Sequence, residues 1–380
     1  MKKLYWRPNR VSRIELLFIA SLALSGMVAV ENFPAVQKRQ HYTEKIAASQ
    51  LALRAMLELK QERERRKIPI SEQGDPAKSG MIGDLLSPIA SNSGHLPSKQ
   101  TSVNPNFAAV VVHQLRRADV DKGDWVAVGV SGSFPALNVA TYAALETIGA
   151  KPVVIASAAA SQWGATHPRF TWLDMEGSLN KRRVFTTHSI AASLGGIDDR
   201  ALGLSSAGKA MLAQAIERAG IPIIAPVNYE ESVALRMKLY EGRAGLEAYK
   251  AYINVGGGTA SVGTRIGKKM FQPGLNRRTP LGDVPDSVML RFSQAGIPII
   301  HLSNVVELAQ RYGLPEAPHS MPAVGQGKVF VTVQYNLWLA GGVLFAIAAV
   351  AILFLRLHLG VRLSSAMAAS RKRSGPVEMV

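Results

Sequence analysis

The chain has 380 residues, 47 % of them hydrophobic, and its 44 Lys and Arg outnumber 27 Asp and Glu for a formal net charge of +17. It has no cysteine, which excludes disulfides and cysteine-ligated metal. Its histidines are scattered, with no H-E-x-x-H and no pair at helical ligand spacing, so neither a metal site nor a cofactor is expected.

Residues 1–13 form a basic tail carrying Lys2, Lys3, Arg7, Arg10 and Arg13. The apolar run Leu16–Val30 predicts a first transmembrane helix over 14–32. A cleaved export signal shares its basic start and short apolar core, but Met27–Pro34 lacks a small-x-small cleavage site, which favours a retained anchor. Val36–Lys67 is rich in Ala, Leu, Glu, Gln, Lys and Arg and predicts a helical stalk over 33–67, either solvated or packed on a partner or a second copy. Pro, Gly, Ser and Asn then dominate residues 68–100, a linker or an irregular wrap.

Residues 101–330 read as an α/β domain. Asn104-Pro105 starts a helix, and Phe107–Ala118 continues it with Phe107, Val110, Val111 and Leu115 on one face. Trp125–Val130 is a strand, Ser131–Pro135 a tight loop, Ala136–Ile148 a helix stopped by Gly149, and Pro152–Ala156 a second strand. This is a βαβ unit of a parallel sheet. Two segments repeat a pattern: helix Met211–Ala219 leads into Gly220-Ile-Pro-Ile-Ile224, and helix Ser287–Ala295 into Gly296-Ile-Pro-Ile-Ile300. Asn228 and Glu231 follow the first copy at the spacing with which Asn304 and Glu307 follow the second. With a further strand at Tyr252–Val255, these give a layered domain with a mainly parallel sheet built from repeated βα units. Leu337–Leu355 then runs without a charge and predicts a second transmembrane helix over 336–355, followed by a basic tail over 356–380.

Lys and Arg concentrate outside the two apolar segments, which places both termini in the cytoplasm and the central domain outside an inner (cytoplasmic) membrane. Between Phe33 and Asn336 stand 34 basic and 24 acidic residues, so the exported part is itself basic. That suits anionic polymers or lipid head groups, and export argues against nucleic acid.

Three loops have chemical interest. Gly129–Asn138 joins a strand to a helix start through small residues, a geometry in which N–H groups and the Ser131, Gly132 and Ser133 segment hold an anion; Ser133 also suits a helix cap. A nucleophile elbow needs glycine where Ser133 stands. Ser161–Glu176 packs Gln162, Trp163, His167, Trp172, Asp174 and Glu176 into sixteen residues just past the second strand. The carboxylates suit acid–base work, and Asp174 equally suits a helix cap. Asn254–Thr259, with Gly256 and Gly257, permits close backbone approach or a nest of N–H donors, but no G-K-[ST] follows, so it is not a P-loop.

These stretches, in this order, resemble the family of poly-gamma-glutamate system proteins: Thr101–Phe107, Val128–Pro135, Ala160–Gly164 with Phe170–Glu176, Ala192–Gly196, Glu230–Val233, Ile253–Gly257 and Gly296–Leu302 with Tyr312–Pro315. The resemblance spans most of residues 101–315, and Ser161-Gln-Trp-Gly164 with Phe170–Glu176 is its most specific part. It implies an accessory membrane component of poly-γ-glutamate (capsule or exopolymer) synthesis or export, working with other membrane subunits, and it carries over no catalytic residue. Three roles stay open: a non-enzymatic domain that binds the polymer; an extracytoplasmic hydrolase or transferase of γ-glutamyl or cell-wall bonds, with Ser131 as nucleophile and His167, Asp174 or Glu176 in support; and a scaffold for partner subunits. The first is the favoured expectation.

Overall fold

The computed structural model of the chain describes residues 13–372. Lys2, Lys3, Arg7, Arg10 and Arg373, expected in the basic tails, lie outside the described residues. Helices run α1 (Arg13–Asn32), α2 (Tyr42–Arg65), α3 (Leu96–Ser102), α4 (Phe107–Arg117), α5 (Pro135–Ile148), α6 (Trp172–Lys181), α7 (Ser206–Ala219), α8 (Tyr229–Ala244), α9 (Thr259–Val262), α10 (Thr264–Met270), α11 (Val288–Gln294), α12 (Val305–Tyr312) and α13 (Leu337–Lys372). Strands run β1 (Ala35–Lys38), β2 (Ala90–Asn92), β3 (Trp125–Ser131), β4 (Lys151–Ser157), β5 (Ala160–Ser161), β6 (Ser189–Ser193), β7 (Ile223–Ile224), β8 (Tyr249–Val255), β9 (Gly274–Asn276), β10 (Ile299–Leu302) and β11 (Val331–Gln334). The chain divides into a unit of residues 38–330 and a second unit made of the segments on either side.

In the larger unit the strands lie in the order β7-β6-β4-β3-β8-β10-β9. All are parallel except β9, which runs antiparallel to β10. The expected α/β class with a mainly parallel sheet is therefore observed. From β3 the chain adds β4, β6 and β7 on one side, then crosses back to lay β8 and β10 on the other. The order reverses between β3 and β8, and the crevice beyond the carboxyl ends at such a reversal is where open α/β sheets bind ligands.

Alternation along the strands supplies two apolar faces. Ala127, Val153, Ile155 and Tyr252 pack with Val233, Met237 and Tyr240 of α8, Ala260 and Val262 of α9, and Phe292 of α11. The intervening residues Val126, Val128 and Val154, equally buried, face the opposite layer. There α5 is buried along almost its whole length, the expected apolar face of α4, Phe107, Val110, Val111 and Leu115, is fully buried, and α2 packs on both helices.

The expected stalk over 33–67 is thereby corrected. Helix α2 is a wall of the domain, packed on α4, α5 and α6. Its buried stripe, Ala48, Ala52, Ala55, Met56 and Leu59, has helical spacing, and small alanines let the helices approach closely. Buried cations pin its two ends. Lys45 Nζ donates to Val329 O at 3.0 Å, and Arg63 donates to the carbonyls of Pro69, Gly80 and Ile82 at 2.8, 3.1 and 2.5 Å. Arg63 thus fixes the start of residues 68–100 as a wrap on the domain.

In the smaller unit α1 pairs with α13. A Cβ on Gly26 would stand 2.2 Å from Val343 Cγ1, and the rings of Phe18 and Phe354 meet edge to face at 6.1 Å. The pairing is antiparallel, since 18 meets 354 and 26 meets 343. Arg13–Asn32 and Leu337–Arg356 are each long and apolar enough to cross a membrane. Strands β1 and β11 form a separate two-stranded sheet.

Candidate functional site

Two loops meet at the reversal of strand order. On one side β3 ends at Ser131, and Gly132 N donates to the carbonyls of Ser157 and Ala159 at 3.3 and 3.2 Å. Asn138 Nδ2, from the first turns of α5, holds Ser131 O at 2.8 Å. Ser131 Oγ accepts from Ser133 N at 3.3 Å, and Ser133 Oγ accepts from Ser161 N at 3.1 Å. Ala165 N donates to Gly132 O at 2.7 Å, and a Cβ on Gly164 would fall 2.5 Å from that same oxygen. The segment around 160–166 therefore clamps directly onto the Gly132–Ser133 loop.

On the other side β8 ends at Val255, and Gly256 takes φ +87°, a left-handed conformation that glycine adopts without strain. Its N–H donates to Leu302 O at 3.1 Å. Asn254 Nδ2 donates to Gly256 O at 2.7 Å and to His301 Nδ1 at 3.1 Å. That bond leaves the imidazole proton on Nε2, which has no hydrogen-bond partner among the described residues. His301 is fully buried, and burial, with the Lys268 charge nearby, pushes it down to about 3. A Cβ on Gly256 would stand 3.4 Å from Ser131 Oγ and from the Phe134 ring, so the two loops adjoin.

Between them opens a cleft of about 850 Å³, lined by Lys99, Ser133, Phe134, Ser161, Gly256, Gly257, Lys268, Lys269 and Ser303, with His95 and Glu307 also on its walls. Lys99 is 3 % exposed. Its Nζ donates to Ser133 O and to Ser161 Oγ, the latter at 2.7 Å, and it sits 4.0 Å over the Phe134 ring. Burial, reinforced by the Lys268 charge, lowers it to about 7. The cleft thus offers two lysines with ordinary access to solvent, one buried lysine, hydroxyls and glycine N–H groups. That donor set suits carboxylates. Among the described residues no three His, Asp or Glu come together at metal-ligating spacing.

The sequence-selected residues divide. Ser133, Gly256 and Gly257 line the cleft; Ser131, Gly132 and Asn254 support its floor. Gln162 serves the rim: its N donates to Asn92 O at 3.0 Å and its Oε1 accepts from Gly94 N at 3.2 Å. Trp163, at φ +58°, exchanges backbone bonds with Gly83 and Asp84 and does not line the cleft.

His167, Asp174 and Glu176 do not gather around Ser131, which corrects the expectation of a shared acid–base site. His167 accepts from Arg169 N at 3.3 Å, and burial lowers its pKa. Asp174 completes a capping box with Thr171 at the start of α6 and binds Arg218 through two 3.0 Å bonds. Glu176 is buried beneath α5, where it accepts from the Tyr142 hydroxyl and from Ser189 N and Oγ at 3.0 and 2.9 Å. Burial pushes its carboxyl up, against these bonds. The dense aromatic and acidic stretch is a packing and capping device, with Trp172 fully buried against Tyr142.

A second polar group lies under the adjoining strand ends. Asp199 and Arg236, each 2 % exposed, pair at 2.8 Å. Ser157 at the end of β4, Ser193 at the end of β6 and Ser232 of α8 complete the network.

Lys99, Lys268, Lys269, Ser161 and His301 escaped the sequence reading. Ser161 lay inside a recognised loop, and Lys268-Lys269 follow the glycine loop closely enough to have been noticed. Lys99 carried no local signal within a segment that reads as linker. Comparison of the chain with protein-family models, curated proteins and solved structures yields no match.

Proposed function

We propose that this chain is a membrane-anchored accessory component of poly-γ-glutamate synthesis or export, whose basic cleft holds a carboxylate-bearing stretch of the polymer. The observation that carries the reading is the convergence of Lys99, Lys268 and Lys269 with the Ser131–Ser133 and Gly256–Gly257 loops at the reversal of strand order. A poly-γ-glutamate chain presents one carboxylate per residue, and N–H-rich loops backed by lysines are complementary to it. The resemblance of residues 101–315 to the poly-gamma-glutamate system family points to the same polymer.

Membrane attachment through α1 and α13 is part of the proposal. Leu16, Leu17, Phe18, Leu344 and Phe345 are exposed apolar side chains, and Trp338, 93 % exposed near one end of α13, suits a membrane interface. In this reading both termini are cytoplasmic and the basic domain lies on the outer face, the arrangement that the flanking Lys and Arg favour.

Charge reversal in the cleft tests the reading. In full-length protein in detergent, Lys268→Glu with Lys269→Glu lowers equilibrium affinity for poly-γ-glutamate by about tenfold to a hundredfold at low ionic strength, and flattens its dependence on salt. Unchanged affinity and an unchanged salt slope would remove the cleft from the account.

A further inference from the structure

Lys99 is the least expected residue in the cleft. A buried lysine is ordinarily paired with a carboxylate, yet among the described residues no ion pair involves Lys99. Its ammonium position is instead fixed by a carbonyl, an aromatic ring and one side-chain hydroxyl, that of Ser161. Ser161 lines the cleft, and its backbone is held from two sides. Its N–H donates to Ser133 Oγ, and its strand β5 pairs with β2. Ser131, the serine that the sequence favoured, has no basic side chain bonded to its hydroxyl among the described residues; it accepts from Ser133 N.

We propose that Ser161 and Lys99 form a nucleophile–base pair that cleaves an amide bond of a chain lying in the cleft. The geometry is that of an activated serine: Oγ and Nζ are 2.7 Å apart, the nucleophile faces the cleft, and the amine is buried beside it. Burial, then the like charge of Lys268, holds Lys99 at about 7, so a large share of the molecules carry a neutral amine at neutral pH. The neutral Nζ takes the Ser161 Oγ proton as Oγ bonds to the amide carbonyl carbon. Collapse of the tetrahedral adduct breaks the C–N bond, and Lys99 passes that proton to the departing amine, leaving an ester on Ser161. Water then adds to the ester carbonyl, giving a proton to Lys99. The C–O bond breaks, and Lys99 returns the proton to Ser161 Oγ. The net change is one amide and one water converted to a carboxylic acid and an amine. Gly257, on the wall of the same cleft, has a backbone N–H with no acceptor among the described residues, the type of donor that an oxyanion needs.

The choice of a γ-glutamyl amide rests on the function proposed above; the nucleophile–base pair does not. The test separates them. Full-length protein in detergent is treated with a fluorophosphonate, which reports an activated serine without any polymer, and the adduct is mapped by mass spectrometry. The expected adduct is on Ser161, with a rate that rises through about pH 7 as Lys99 loses its proton; Lys268, Lys269, His95 and Glu307 are the other charged or titratable groups on the cleft. Lys99→Arg keeps the cation and cannot act as base, so it lowers the labelling rate by about 10²- to 10⁴-fold while a thermal melt reports an intact fold. No adduct on Ser161 between pH 6 and 9, or equal labelling in folded Lys99→Arg, overturns the pair even if the polymer binds. Labelling at Ser161 with no shortening of poly-γ-glutamate supports the pair and transfers the failure to the polymer assignment.

Discussion

Asp199→Ala lowers the stability of the 38–330 unit by about 3–5 kcal/mol, the largest loss expected from any single side chain near the cleft. The carboxylate accepts from Arg236 Nε and Nη2 at 2.9 and 3.0 Å, from Ser193 Oγ at 2.5 Å and from Ser232 Oγ at 2.6 Å. Removing it leaves Arg236 charged and buried with serine hydroxyls alone. The damage also reaches the cleft. Ser157 belongs to the network, and a Cβ on Gly258 would stand 3.8 Å from Ser157 Oγ, while Thr259 Oγ1 donates to Gly196 O at 3.1 Å. Chemical unfolding of full-length protein in detergent measures the loss. A double variant, Asp199→Leu with Arg236→Met, is expected to retain more stability than Asp199→Ala, because no buried charge is left uncompensated. Equal midpoints for wild type and Asp199→Ala would mean that the pair is dispensable.

The second large effect is acid lability through His301. Its folded value, about 3, lies below the ordinary 6.5 because burial penalises the cation. Between these values the unfolded chain binds a proton that the folded chain refuses. The stability it contributes is complete above pH 6.5 and is lost as pH falls toward 3, by about 1.4 kcal/mol for each pH unit. His113, pushed down to about 4 by burial and by the cations around it, acts in the same direction. Lys99 does not confound the window, since its folded and ordinary values, about 7 and 10.5, both lie above it. His301→Asn keeps a polar partner for Asn254 and removes the proton. Between pH 6.5 and 4 its stability should fall less steeply than that of wild type, by about one proton's slope. Parallel slopes would show that His301 titrates normally.

The α/β class was legible because apolar runs of strand length alternate with capped helices. Trp125–Val130, Gly149 and the two Gly-Ile-Pro-Ile-Ile segments each mark a local boundary that needs no tertiary information. In the structure Asn228 and Asn304 both stand at helix N-caps, yet they work differently. Asn228 Oδ1 accepts from Glu231 N at 2.8 Å, whereas Asn304, at φ +45°, donates to Glu307 Oε2 at 2.6 Å. The repeat therefore specified position, and its surroundings decided the chemistry. The strand order was not legible, because no local signal records that the chain returns across β3 after β7.

Helix α2 misled for a physical reason. Its inward face is mostly alanine, which signals helix formation but little burial, and Lys45 and Arg63, basic residues that in sequence read as solvated, are spent on buried carbonyls. The Ser161–Glu176 stretch misled in the opposite sense, since polar and aromatic density suggests a site wherever it occurs. There Asp174 caps and Glu176 anchors a strand end, while Ser161 alone faces the cleft. The glycine and serine loops were recognisable because backbone geometry at strand ends is a local property. Lys268 and Lys269 follow the glycine loop within about a dozen residues, whereas Lys99 arrives from a distant segment and carries no such signal.

Hydrogen exchange of full-length protein in detergent, with and without poly-γ-glutamate at low ionic strength, tests the central claim most directly. Slowed exchange is expected in the amides of Ser133–Phe134, Gly256–Gly257 and Lys268–Gln272, and little change on the separate basic groove around Arg66, Arg169 and Arg218. Protection confined to that groove, or no protection at the cleft in a sample that binds the polymer, would contradict the account.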